Sequence, residues 1–386
     1  MACNNLHLPH RFCHSLRSSS RRASHGFPKT LTTTFPFRCA RSSANSTPSA
    51  SVSTTGSFTW DDVIRISQPE SSPDDPSDLK GYFDKIQFCN RGSVKLYSAV
   101  VIHFLSPKCS SVSHFLTETA LQETKSKFLP FVIENQIVGY IHNEFSDHLR
   151  RFSNVLDFTV DNGVTLHSSL RTAEDRTEAL GEVTNSLGEK LIPGIRNELY
   201  PVVSSFGGPT FFSLERAAAP YFGIKAYGVH MNGYVEKDGQ KFLWIGKRSQ
   251  LKPTYPGMLD HLVAGGLPHG IACGENLVKE CEEEAGIPRF ISSRAIAVGA
   301  VSYMDIDGYR FKRDVLFCYD LKLPESFIPK NEEVHPLEWL IKHVADGEVE
   351  SFKLIPVTHV ANVIRRTNYF KSNCCLVIID FLFRHG

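Results

Sequence analysis

Between Gly265 and Pro288 the chain reads Gly-Gly-Leu-Pro-His-Gly-Ile-Ala-Cys-Gly-Glu-Asn-Leu-Val-Lys-Glu-Cys-Glu-Glu-Glu-Ala-Gly-Ile-Pro, a glycine-rich turn running into closely spaced carboxylates. Successive residues of an α-helix turn by about 100°, so Glu280, Glu283 and Glu284 share one face. Leu277, Val278, Cys281 and Ala285 fall on the adjoining, apolar face. Like charges at this spacing repel by about 0.2–0.5 kcal/mol per pair, which points to a compensating cation. All-oxygen donors suit Mg²⁺ or Mn²⁺ better than zinc. Gly286 supplies a left-handed cap and Pro288 forbids continuation, so the helix stops after Ala285. The competing reading is an ordinary solvated acidic helix.

The spacing from Gly265 to Ile287 resembles the Nudix box: Gly, five residues, Glu, seven residues, then Arg-Glu-apolar-x-Glu-Glu-x-Gly-apolar. Gly265, Glu280, Cys281, Glu283, Glu284, Gly286 and Ile287 fit it. Two positions depart. The motif's first glutamate falls on Ile271 and its arginine on Lys279. Lysine keeps the charge without the planar fork of arginine, so Lys279 should orient its partner glutamate less rigidly. Isoleucine can neither bind a cation nor take a proton. Glu275 and the acidic Glu332-Glu333 are nearby candidates for the missing carboxylate. The alternative role of Glu275 is a surface ion pair with Lys279, four residues on.

The resemblance implies an α/β Nudix fold, a mixed sheet sandwiched between helices, over residues 222–386 with the box at 265–286. It further implies metal-assisted hydrolysis of a small-molecule pyrophosphate, with Glu280 and Glu284 as metal ligands and Mg²⁺ or Mn²⁺ as cofactor. In that scheme Glu283 assists, one carboxylate acts as base, and Lys279 orients. Gly265 and Gly266 let the backbone approach the substrate, and Lys247 or Arg248 meets its phosphates. With Ile271 in the box, a module that binds a pyrophosphate without cleaving it is the reading from a different class.

The surrounding pattern agrees. Tyr227–Val235 and Lys241–Arg248 read as two strands joined at Asp238-Gly239, and 295–303 with 313–321 as a second hairpin around Asp305 and Asp307, both taken as turn residues. Residues 351–367 are predicted as a packing helix, and 375–383 as a terminal helix or buried strand.

Upstream lies a smaller α+β module over 60–212, with turn signals at 71–76 and 205–209 marking its boundaries and 94–127 read as an insertion. Phe128–His142, together with Asp380–Gly386, resembles the module that precedes the catalytic domain in plant chloroplast Nudix hydrolases and in fungal thiamine pyrophosphokinase fusions. This brings in thiamine diphosphate-like compounds beside nucleoside diphosphate derivatives as substrates.

Residues 1–56 hold no Asp or Glu but carry scattered Arg among abundant Ser and Thr. That is the composition of an organelle transit peptide, and the Met1-Ala2 opening and the serine load favour chloroplast, with mitochondrion as the alternative. A net charge of +1 gives no reason to expect nucleic acid or an anionic membrane as partner. The cysteines lack the paired spacing of a disulfide framework or a zinc site, so the vicinal Cys374-Cys375 reads as core packing.

Overall fold

The computed structural model describes residues 57–69, 79–92, 126–159, 163–252, 254–330 and 349–385, all within one compact unit. The leader, the turn signal at 71–76, nearly all of the 94–127 segment and Glu332-Glu333 lie outside the described residues.

The first part of the chain forms α1 (Trp60–Ser67), α2 (Lys80–Cys89), β1 (Phe128–Ile133), β2 (Gln136–His142), α3 (Asn143–Leu149), β3 (Leu156–Phe158), β4 (Val164–Leu166) and α4 (Ala173–Leu191). A hairpin follows, β5 (Leu199–Val202) with β6 (Phe212–Glu215). Strands β1 to β4 make a four-stranded sheet in the order β2-β1-β4-β3. Helix α4 starts on a capping box, Thr172 with Asp175, and buries Leu180, Val183 and Leu187. These meet Phe131, Phe145, Phe212 and Phe222 in the core of this region.

The second part is built on β7 (Lys225–Lys237), β8 (Gln240–Arg248), β9 (Leu259–Asp260) and β10 (Val263–Gly266), then α5 (Cys273–Ala285) and α6 (Arg289–Ser292). It continues with β11 (Ile296–Asp307), β12 (Arg310–Lys322), β13 (Val349–Pro356), α7 (Val357–Arg366) and α8 (Ser372–His385). The sheet runs β11-β12-β7-β8-β13, with β10 paired to β7 and β9 to β8. Among the described residues only the β12–β7 pairing in it is parallel, so the sheet is mixed. Helix α5 lays Leu277, Cys281 and Ala285 on Val229, Met231 and Val263. Against Leu243, Ile245 and Ile355 pack Val63 of α1, Val360 and Ile364 of α7, and Ile378 of α8. Helices thus cover both faces, as the resemblance implies.

Both predicted turns form. Asp238 and Gly239 take positive φ between β7 and β8, and Gly286, at φ 60°, closes α5 with Ile287 N–H donating to the Cys281 carbonyl at 2.9 Å.

Several expectations are corrected. The turn at 205–209 is the loop of the β5–β6 hairpin and not a boundary. The segment Trp60–Cys89 packs on the second sheet's helices, with Trp60 Nε1 donating to Ser351 Oγ at 2.9 Å. The predicted helix at 351–367 is a strand up to Pro356 and a helix only from Val357. Lys353, Leu354 and Ile355 complete the ladder against β8, and Pro356, which has no N–H to give, marks the change. Residues 375–383 are helical, within α8. Asp305 is not a turn residue: it is buried within β11 and holds Arg91 through two bonds of 2.7 and 2.8 Å.

Candidate active site

A cleft of about 770 Å³ opens between the stretch that carries the β5–β6 hairpin and the second sheet. Its walls include Lys279, Glu280, Glu283 and Glu284 of α5, and Glu198, Tyr200 and Arg216 from the first part of the chain.

Two bonds fix α5 to the neighbouring strand. Glu284 Oε2 accepts the Ala264 N–H at 2.8 Å, and Asn276 Nδ2 donates to the Gly266 carbonyl at 2.7 Å. The side chain of Glu280 lies against Gly265, where a Cβ would overlap its carboxyl group. Glu280 and Glu284 are thereby brought against adjacent residues of β10. A Cβ on Gly266 would overlap the Tyr200 hydroxyl and approach Glu198 Oε1 to 3.2 Å. Both glycines thus make room for side chains of the protein itself, where the sequence suggested room for substrate.

Glu280 is 15% exposed and Glu283 55%, which separates an inner carboxylate from an outer one. Lys279 Nζ spans them, 2.7 Å from Glu283 Oε2 and 3.7 Å from Glu280 Oε1. Burial opposes the lysine's charge, but the Glu283 bond and the nearby Glu280 outweigh it and raise its pKa.

Across the cleft Arg216 Nη1 donates to Glu198 Oε2 at 2.6 Å, and its guanidinium stands 5.6 Å from the centre of the Tyr200 ring. Burial works against the Arg216 charge, while the carboxylates of Glu198 and Glu280 favour it and prevail, so the group stays cationic. Burial pushes the Tyr200 hydroxyl well up, keeping it a neutral donor. From β12, Asp314 accepts from the Tyr303 hydroxyl, and burial raises its carboxyl above the ordinary range despite that bond.

The remaining sequence-predicted residues scatter. Arg248 lines the cleft but is engaged by Asp260 at 3.0 Å and by the Tyr255 and Thr254 carbonyls. Lys247 is next to it on an extended strand, so it points the other way and pairs with Glu350 at 3.2 Å over the Phe58 ring. It is therefore corrected as a phosphate contact. Ile271, where the motif glutamate is missing, packs beside Val203, Tyr227 and Leu267. Glu275 does not take its place: it binds Arg289 at 2.8 Å on the outer side of α5, and Arg289 replaces Lys279 as its partner. The sequence reading missed Glu198, Arg216, Tyr200 and Asp314. Only Asp314 left a trace, as one of the two acidic residues in the strand predicted over 313–321.

Glu280 and Glu284, held against one strand, form an oxygen-only set that fits a hard divalent cation.

Comparison with known proteins gives three results. A domain of unknown function, DUF4743, matches residues 110–226. Two Arabidopsis thaliana proteins are similar over most of the chain. Nudix hydrolase 20, chloroplastic, is 58% identical over 360 residues, 91% of this chain and 83% of its own; Nudix hydrolase 24, chloroplastic, is 56% identical over 332 residues, 86% of this chain and 80% of its own. The ADP-ribose-bound NUDIX domain of Shewanella oneidensis NrtR overlaps 43% of this chain and 91% of its own, at 11% identity and a TM-score of 0.31.

Proposed function

The chain belongs to the Nudix hydrolase family, whose members act on pyrophosphate linkages, and from that premise we propose a divalent-metal-dependent hydrolase of a small-molecule diphosphate in the chloroplast. Its substrate is a nucleoside diphosphate derivative or a thiamine diphosphate-like compound. The observation that carries the reading is the seating of Glu280 and Glu284 against Gly265 and Ala264, inside a cleft that also holds Arg216 and Lys279.

Glu280 and Glu284 hold Mg²⁺ or Mn²⁺. Such a cation, when bound, neutralises phosphoryl oxygens and acidifies water. Lys279 keeps Glu280 and Glu283 in place, at 3.7 and 2.7 Å. Arg216 and Lys312 line the same cleft and give cationic donors for the diphosphate oxygens. Tyr200, kept protonated, donates without competing as a charge. The base that Ile271 cannot be comes from outside the box: Glu198 stands beside Gly266, and Asp314 is set in the sheet wall. With these carboxylates present, binding without cleavage is not the favoured reading. Chloroplast import rests on the acid-free leader and on the names of the two relatives.

The test is monophosphate release from ADP-ribose, thiamine diphosphate and its oxidised analogues, with Mg²⁺ or Mn²⁺ and again with chelator. Turnover of one class that chelation abolishes is expected. Tight binding with no turnover of any member contradicts the proposal.

A further inference from the structure

A second cluster of metal-ligating side chains lies where the sheet meets the C-terminal helix. His230 of β7, His261 just after β9, and Cys374 of α8 are 4%, 3% and 0% exposed. One ligand atom from each falls within 4.8 Å of the others. The rings of His230 and His261 stand edge to face, 5.0 Å between centres. Buried polar atoms are ordinarily paired, yet among the described residues His230 Nδ1 and His261 Nε2 have no hydrogen-bond partner. Burial keeps both imidazoles neutral, the form that binds metal.

Asp260 lies beside the group. Its Oδ1 accepts the Cys374 thiol at 2.6 Å and the backbone N–H of His261 at 2.8 Å. Its Oδ2 is held by Arg248 at 3.0 Å and Lys371 at 3.3 Å. The backbone sets these elements in register, because Leu259 N–H donates to the Tyr369 carbonyl at 2.8 Å and Lys371 N–H to the Leu259 carbonyl at 2.9 Å.

We propose that His230, His261, Cys374 and Asp260 form a buried zinc site, separate from the carboxylate site on α5, that fastens the C-terminal helix to the sheet. Two imidazoles, a thiolate and a carboxylate are the donors of a tetrahedral zinc ion, whereas the box offers oxygen alone. Zinc bonds of about 2.0–2.3 Å set neighbouring ligand atoms roughly 3.5 Å apart, so the ligand atoms of His230, His261 and Cys374, all within 4.8 Å of one another, close on the ion with about 1 Å of movement or less. On binding, Cys374 gives up its thiol proton as the sulfur–zinc bond forms. The proton leaves through the cleft, which His230 and Lys371 line.

The test uses the full chain loaded with zinc, dialysed against Mg²⁺-containing buffer, and assayed for metal by mass spectrometry; a Co²⁺-loaded sample gives the spectrum. About one zinc per chain is expected, with tetrahedral cobalt bands and a thiolate-to-cobalt charge-transfer band. Cys374→Ser should remove that band, and His261→Ala most of the bound zinc, while Glu280→Gln with Glu284→Gln should change neither. A chain that retains no zinc, an octahedral cobalt spectrum without thiolate absorption, or a band that persists in Cys374→Ser overturns the proposal. If a variant fails to fold, the spectrum of the unsubstituted chain decides on the same criteria.

Discussion

At Gly265 a hydrogen atom occupies the place where any side chain would strike the Glu280 carboxyl group. Gly265→Ala is therefore expected to displace that carboxylate and lower kcat by about 10²-fold, the scale of a 1 Å misplacement, while the far-ultraviolet circular dichroism stays unchanged. An unaltered kcat would mean that the position of Glu280 is not critical. Asp314 gives a pH-dependent prediction. Burial raises its folded-state pKa, so its contribution to stability is full below the ordinary carboxylate value of about 3.9 and is lost as pH rises through the folded value. Asp314→Asn should retain the bond from Tyr303 and gain stability relative to the parent above that range, with no gain below it. Urea midpoints across a pH series measure this, and a constant difference at all pH values would contradict it. The residue scale is also where sequence reading was most uneven. Glu280, Glu283 and Glu284 were legible because 3.6-residue periodicity places them without any tertiary information. Glu198 and Arg216 were not, because their meeting with the box depends on a hairpin far away in sequence.

Helix α5 is defined at its end by Gly286 in the left-handed region, with Cys281, Ala285 and Ile287 buried beneath it. Gly286→Ala should cost about 1–2 kcal/mol, read as a lowered urea midpoint with an unchanged m-value. A shift within error would show that the cap does not limit stability. The signals that could be read at this scale were local ones. Asp238-Gly239, Gly286 and Pro288 punctuate the chain through their own backbone preferences. β13 was misread as helix because a short apolar run does not declare its period, and its pairing with β8 is with a strand about a hundred residues earlier. Asp305 was misread for a similar reason, since Arg91 lies 214 residues away.

For the whole molecule, the cleft is shared: α5 and the sheet give one wall, while Glu198, Tyr200 and Arg216 give another. The first part of the chain thus lines the candidate site. Arg216→Ala should raise KM more than it lowers kcat if, as proposed, the side chain binds diphosphate oxygens, and a change in kcat alone would argue against that role. The sheet sandwiched between helices was implied by the family resemblance, but the packing of α1 and α2 on that side was not, because Val63 reveals its partners Leu243 and Ile355 only in the folded chain. The proposed function makes the box the catalytic metal site although Ile271 stands where one of its carboxylates would be. The most direct measurement is kcat of Glu280→Gln with saturating Mg²⁺ on whichever diphosphate the parent hydrolyses, checked for an unchanged thermal midpoint. A loss of about 10²-fold or more is expected. A folded Glu280→Gln protein that turns over at the parental rate would contradict the account.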